Sequence, residues 1–336
     1  MKKILILIMS CNHPFFEKQF NFAKDTWLKE VGNFDNIDYC LYSSSENGKF
    51  YINKKKHLIK VPCDDSIFGT YDKTIKTLTL IEQENIYDYD YIFRTNGSTY
   101  INISLLNEFI QNLKDEDWNK VYAPKIYLTQ EQGPYKYGLF AQGNGLILHR
   151  DMINVIKPNK LRDYLERYPL EVKDNNLNSG LVDDGTIGYM LCCYYCDNGY
   201  DIFDMFNSFG CYSNKKLFTR QDEYDVPFDK MICISFRDYD NPDRHEEFDR
   251  GIYIYDKLKD LHNCSDLSLV YEHLDKEIVG LNIPQFMNRD ISKQEALDIL
   301  KYNDFFNKIP NINFKRNGKE RKERIQDFYQ SSVHWG

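Results

Sequence analysis

The sequence predicts an α/β fold, a mostly parallel sheet flanked by helices with a helical C-terminal extension. Three observations predict it. Residues 4–9 form a continuous apolar run of strand length, as expected for a strand buried on both faces. Runs of that kind then alternate with helix-period stretches through the first 94 residues. The runs end in polar residues, Ser10 to Asn12, Ser43 to Ser45 and Arg94 to Ser98, which a parallel sheet collects along one edge. Open α/β sheets bind their ligands at that edge.

Taken in order, residues 4–9 give the first strand. The turn Ser10-Cys11-Asn12-His13-Pro14 closes it. Residues 15–30 read as a helix with Phe16, Phe20, Ala23 and Trp27 on one face. Strands follow at 37–42, 57–61 and 89–94, with a helix at 70–83 carrying Ile75, Leu78 and Leu80. Beyond residue 100 the pattern changes. Short strands are expected at 118–126, 138–140 and 145–149, a helix from Arg150, and a late strand at 231–236. Residues 252–261, 293–302 and 319–329 read as helices, with a linker at 303–318 containing Pro310. The expected division is one domain over 1–290 and a basic helical extension over 291–336.

Composition narrows the function. The 336 residues carry a formal net charge of −8, which disfavours general nucleic-acid binding. Nine cysteines at irregular spacing in a long chain argue against a disulfide framework. Cys193-Tyr-Tyr-Cys196 has no second pair of that spacing to complete a zinc site. The apolar N-terminal run is short and lacks a small-residue cleavage pattern, and no later run is long enough to span a bilayer. A cytoplasmic protein is expected. The stretch containing Lys315, Arg316, Lys319, Arg321, Lys322 and Arg324 is basic, and would suit either a solvated helix or peripheral contact with an anionic membrane.

The chemistry centres on Asp183-Asp184, which leads through an expected small-residue turn into the apolar run Met190-Leu191-Cys192-Cys193-Tyr194-Tyr195. Adjacent carboxylates before a buried element cost desolvation unless they face a cleft. At a cleft edge, one of them can take a proton from an alcohol. The same acids would also be favourable at a helix N-terminus.

Five segments resemble the Fringe-type β-1,3-glycosyltransferases in the right order. They are Ala23-Lys24-Asp25-Thr26-Trp27, Tyr71 to Leu78, Tyr91 to Asn102, Phe140 to Asp151, and Asp183-Asp184-Gly185-Thr186-Ile187-Gly188-Tyr189. The resemblance covers about residues 4–201. It implies a GT-A (Rossmann-like) fold, a nucleotide-diphosphate sugar donor, a glycan or glycoconjugate acceptor and inversion at the transferred carbon. It places the pair beside the acceptor hydroxyl, with Asp184, the second acid, as catalytic base. Asp183 is expected either to orient the acceptor or to raise its neighbour's pKa by like-charge repulsion. Lys76 falls in the matched helix and is expected at the donor. Gly143 and Gly145 are expected to allow either close backbone approach or a tight turn near the acceptor.

The chain departs from the family at one place. Where the family carries Asp-x-Asp for Mn²⁺, this sequence has Asn96-Gly97-Ser98. Neutral amide and hydroxyl oxygens are weak ligands for a hard divalent cation. Metal-independent transfer with no required cofactor is expected, and no metal ligand is assigned. The departing diphosphate still needs positive charge. Arg94, Arg237 and Arg244 are the candidates, and Ser10, Asn12, Ser43, Asn96 and Ser98 are candidate donor contacts from their places at strand ends. Two other readings stay open: a non-catalytic glycan- or nucleotide-binding protein on the same fold, and a nucleotidyltransferase.

Overall fold

The computed structural model describes residues 1–65, 69–124, 126–132, 135–141, 143–168, 183–209, 212–213, 231–235, 285–286 and 289–290. Strand β1 (Ile4–Met9) lies parallel to β2 (Ile37–Ser44) on one side and to β5 (Tyr91–Asn96) on the other. β4 (Leu58–Val61) extends the sheet beside β2, and β3 (Tyr51–Asn53) closes that side antiparallel to β4. On the other side β10 (Leu146–His149) runs antiparallel to both β5 and β7 (Val121–Ala123), and β11 (Phe206–Ser208) pairs with β7. The order is β11-β7-β10-β5-β1-β2-β4-β3, so the α/β, mostly parallel sheet is as the sequence predicts.

The apolar run of β1 is continuous because both its faces are covered. Leu5 and Leu7 enter one core, whereas Ile4, Ile6 and Ile8 enter the other. The second core is closed by α1 (Pro14–Asp25), α2 (Leu28–Val31) and α4 (Ile103–Asn112). The first is closed by α3 (Thr70–Gln83), α5 (Pro158–Arg167) and α6 (Asp183–Asp197).

The helix expected at 15–30 is two pieces. The Thr26 hydroxyl donates to the carbonyl of Phe22 at 2.7 Å, and Thr26 leaves helical geometry at φ −117°, ψ −112°. This side-chain competition ends α1 and turns Trp27 fully into the core. A helix that the reading missed, α4, begins where Asn102 caps it by accepting from the Leu105 amide at 3.1 Å. The region 126–141 is a hairpin of β8 (Ile126–Gln132) and β9 (Tyr135–Ala141). A smaller sheet joins β12 (Tyr212–Ser213), β13 (Cys233–Ser235) and β6 (Thr99–Ile101). The helix expected from Arg150 starts as a 3₁₀ segment, Arg150–Ile156.

The acidic pair and its small residues form no turn; they open α6. This helix is buried on most of its circumference, which is why its sequence is apolar all round. It packs on the hairpin so closely that a Cβ at Gly188 would sit 2.4 Å from that of Phe140. The two buried tyrosines of α6 keep their hydroxyls satisfied, Tyr189 donating to the Tyr168 carbonyl at 2.7 Å and Tyr195 to that of Asn119 at 2.6 Å.

Among the described residues seven cysteines are free thiols, four of them buried in the core. No described helix is long and apolar enough to cross a membrane. The helices expected at 252–261, 293–302 and 319–329, and the division at residue 290/291, lie outside the described residues.

Candidate active site

The site is assembled where β1, β2 and β5 end. Arg94 is placed by β5 and is 2% exposed, in a protein interior that disfavours an unpaired charge. Its guanidinium pairs with the Asp183 carboxylate, which is equally buried. It also donates to Met9 Sδ at 3.2 Å and hydrogen-bonds the Tyr42 hydroxyl. Burial opposes the charge on Arg94, but Asp183, Tyr42 and Asp184 outweigh it and raise its pKa. The network continues into α3. The Tyr42 and Thr74 hydroxyls lie 3.0 Å apart, Thr74 Oγ1 lies 3.4 Å from Asp183 Oδ2, and the Asp183 amide donates to Thr70 Oγ1 at 3.1 Å. Every oxygen and nitrogen named here belongs to a residue inside the sheet–helix layer, so the network anchors the start of α6.

Asp184 follows on the rim of this network and is half-buried. Its Oδ1 accepts from the Gly185 amide at 2.9 Å, and its carboxylate also accepts from the Gly143 amide. Burial first, and then the negative charge of Asp183, push its pKa up to about 6; Arg94 and the two amides pull the other way. A carboxyl group poised there is mostly ionised at neutral pH yet remains a competent proton acceptor. Against Asp184 packs the buried loop 143–145 before β10. A Cβ on Gly143 would lie 2.5 Å from Arg94 Nη1 and 3.5 Å from Asp184 Cβ, so glycine is what admits both side chains. The loop is tied to β5 by Thr95 Oγ1 donating to the Asn144 carbonyl at 3.0 Å. Gly143 is thus packed closely against both members of the site, Arg94 and Asp184.

The residues expected at the donor fall into distinct groups. Ser10, Asn12 and Ser43 come together at the ends of β1 and β2. Asn12 donates through Nδ2 to the carbonyl and hydroxyl of Ser44, both at 2.8 Å, and Ser43 Oγ lies 3.5 Å from Asn12 Oδ1. Asn96 ends β5 opposite Met9 of β1, and its buried Oδ1 has no partner among the described residues. Ser98 is buried two residues on. Lys76 is elsewhere, donating to the Pro62 carbonyl at 2.7 Å and to Asp72 at 2.6 Å. Arg237 and Arg244 lie outside the described residues.

Sequence reasoning missed the residue one turn before Lys76. Lys73 is fully buried and donates to the Ser10 carbonyl at 3.0 Å and to Asp65 Oδ1 at 2.7 Å. Asp65 Oδ2 in turn accepts from the Asn12 amide at 2.7 Å. Burial opposes the ammonium, while Cys11 and Asp65 outweigh it and raise its pKa. Lys73 thus fixes the loop after β1 from beneath. A signal was available: Thr70, Lys73, Thr74 and Thr77 recur at helical spacing on one buried face of α3. A polar stripe on a buried face marks a polar neighbour.

The segment Asn96-Gly97-Ser98 offers the amide oxygen of Asn96 and the hydroxyl of Ser98, with no carboxylate. That donor set does not fit a hard divalent cation. Among the described residues no three His, Cys, Asp or Glu side chains cluster as metal ligands.

No protein-family model matches the chain, and no curated protein matches its sequence. Solved structures with a similar course of the chain include the galactosyltransferase LgtC in complex with donor and acceptor sugar analogs. It has a TM-score of 0.45 at 10% identity and covers 75% of this chain and 95% of that one. Another is the glycosyltransferase GlyE of Streptococcus pneumoniae TIGR4, at 0.39 and 12%, covering 78% and 64%. A third is a glycosyltransferase involved in glycosylation of the major capsid of PBCV-1, at 0.38 and 10%, covering 75% and 98%.

Proposed function

We propose that this protein is a GT-A-type glycosyltransferase that moves a sugar from a nucleotide-diphosphate donor to a hydroxyl of a glycan or glycoconjugate, with inversion and without a metal ion. The observation that carries the reading is Asp184 itself, its pKa pushed up to about 6 and its side chain set against the backbone of Gly143 at the strand ends. The order of the five sequence segments supports it.

In this reading the nucleotide lies over the ends of β1 and β2, against the loop that Lys73 and Asp65 hold in place. The acceptor hydroxyl lies against Asp184 and the loop 143–145. Asp184 takes the hydroxyl proton as the oxygen attacks the anomeric carbon. The carbon–oxygen bond to the diphosphate breaks on the opposite face, and its electron pair leaves with the nucleoside diphosphate. Asp183 does not touch the acceptor. Held by Arg94, it fixes the first turn of α6 and lifts the basicity of its neighbour. Arg94 is committed to Asp183, so the charge of the leaving diphosphate falls to Arg237 and Arg244.

The neutral segment Asn96-Gly97-Ser98 specifically favours a second reading, a non-catalytic nucleotide- or glycan-binding protein on the same scaffold. Thermal stabilisation by UDP, GDP, CDP and dTDP, each with Mn²⁺ and with EDTA, tests the donor. A ligand that binds only the folded chain raises its melting temperature. The transferase reading expects one nucleotide to stabilise the protein in EDTA. Stabilisation only with Mn²⁺ would contradict metal independence, and no stabilisation by any nucleotide would contradict the donor class.

A further inference from the structure

The lateral edge of the large sheet carries a feature that the transfer reaction does not use. Phe50, Tyr51 and Ile52 are consecutive and exposed by 54%, 46% and 37%. Tyr51 and Ile52 belong to β3, the outermost strand, so one flank of its backbone has no neighbouring strand among the described residues. Successive side chains of a strand point to opposite faces. Exposure of all three therefore makes this edge an apolar ridge. Singly exposed apolar residues are ordinary, but three in succession on an open edge are a liability unless something covers them.

Charge indicates what covers them. Between residues 47 and 62 the sequence has Lys49, Lys54, Lys55, Lys56 and Lys60 and not one Asp or Glu, in a chain of net charge −8. Lys60 pairs with Glu46 at 3.8 Å, and Lys54 lies over the Tyr87 ring at 5.6 Å. Lys49, Lys55 and Lys56 are exposed and in no ion pair among the described residues. An apolar ridge bracketed by free ammonium groups is complementary to an anionic lipid surface, with lysines at the phosphates and the ridge in the interfacial layer. A second copy of the chain is disfavoured, because edge-to-edge pairing would bring the same lysines together.

We propose that the Lys49 to Lys56 edge docks this protein on an anionic bilayer. Tyr51 pairs with Lys60, and Lys60 Nζ lies 3.2 Å from Asn12 Oδ1 at the end of β1. Docking by this edge thus brings the rim of the candidate site close to the membrane surface. The docking itself does not depend on the transferase reading.

The test is co-sedimentation of the full chain with phosphatidylcholine vesicles, with and without phosphatidylglycerol. Binding is expected only with the anionic lipid, and it should weaken as salt is raised. K55E/K56E should lower the partition by about tenfold or more, since each lysine near such a surface contributes about fivefold. F50S/I52S should lower it by about tenfold through lost apolar insertion. Both variants change exposed side chains, so their melting temperatures should match the parent. Failure of the parent chain to bind anionic vesicles would overturn the proposal. So would undiminished binding by both variants, which would assign attachment to another part of the chain such as the basic residues 315–324. A dimer that dissociates in F50S/I52S while lipid binding stays unchanged would assign the edge to self-association and also overturn it.

Discussion

Replacing Arg94 with methionine removes one charge from the centre of the site while keeping much of the side-chain volume. In the structure Arg94 is 2% exposed, and its partner Asp183 is buried beside it. After the change, Asp183 would keep the 3.4 Å contact from Thr74 Oγ1 but lose its counter-charge. Removing one member of a buried ion pair costs about 3–5 kcal/mol, because the remaining charge stays buried and unpaired. A domain has about 5–15 kcal/mol in all, so the single variant should unfold at much lower urea. D183N strands Arg94 in the same way. The double variant R94M/D183N has no buried charge left at either position, so it should recover at least about 2 kcal/mol relative to the sum of the two single losses. Urea unfolding followed by tryptophan fluorescence reads all four proteins, since Trp27 is fully buried. Additive losses, or a loss below about 1 kcal/mol in R94M, would refute the description of a buried, coupled pair.

Four further outcomes rest on the same geometry. Asp184 acts as a base only when ionised, and its pKa lies at about 6, so kcat/KM should rise with pH through 6 and level off above 7; a rate that falls over that range would contradict the assignment. Arg94 is among the groups holding that pKa down, so in R94M, where it remains folded, the rise should move to higher pH. Gly143→Ala places a methyl group 2.5 Å from Arg94 Nη1 and should cost about 1–3 kcal/mol in the same unfolding assay, whereas unchanged stability would show that the loop has room. Lys73→Met frees the loop after β1 from its anchor at the Ser10 carbonyl, and should raise KM for the donor by a larger factor than it lowers kcat.

The sheet was legible in the sequence because its signal is local. A run such as Ile4–Met9 is apolar on both faces only if both faces are covered, and the polar residues after it mark where the strand ends. The pair Asp183-Asp184 stood out for a similar reason, since adjacent carboxylates leading into an apolar segment must meet a partner or a polar face. Its setting was not. That Arg94 points inward to Asp183, and not outward to a phosphate, is decided by the approach of α6 to β5, which no local pattern records. Lys73 was passed over for Lys76 because a one-turn difference along α3 chooses between the buried face and the surface. The break at Thr26 depends on a single hydroxyl, and α4 on a single capping amide oxygen. Both are small energies that override a periodicity reading.

The central claim is that Asp184 performs the proton transfer of a sugar-transfer reaction. It is tested most directly by Asp184→Asn, with binding and turnover measured on the same preparation. Asparagine keeps the size of the side chain and cannot accept the proton. The account predicts that the variant binds the stabilising nucleotide with the affinity of the parent and loses at least about a hundredfold in transfer rate. Transfer at the parental rate would remove Asp184 from the base role, and loss of nucleotide binding along with transfer would show that the residue belongs to the donor pocket instead.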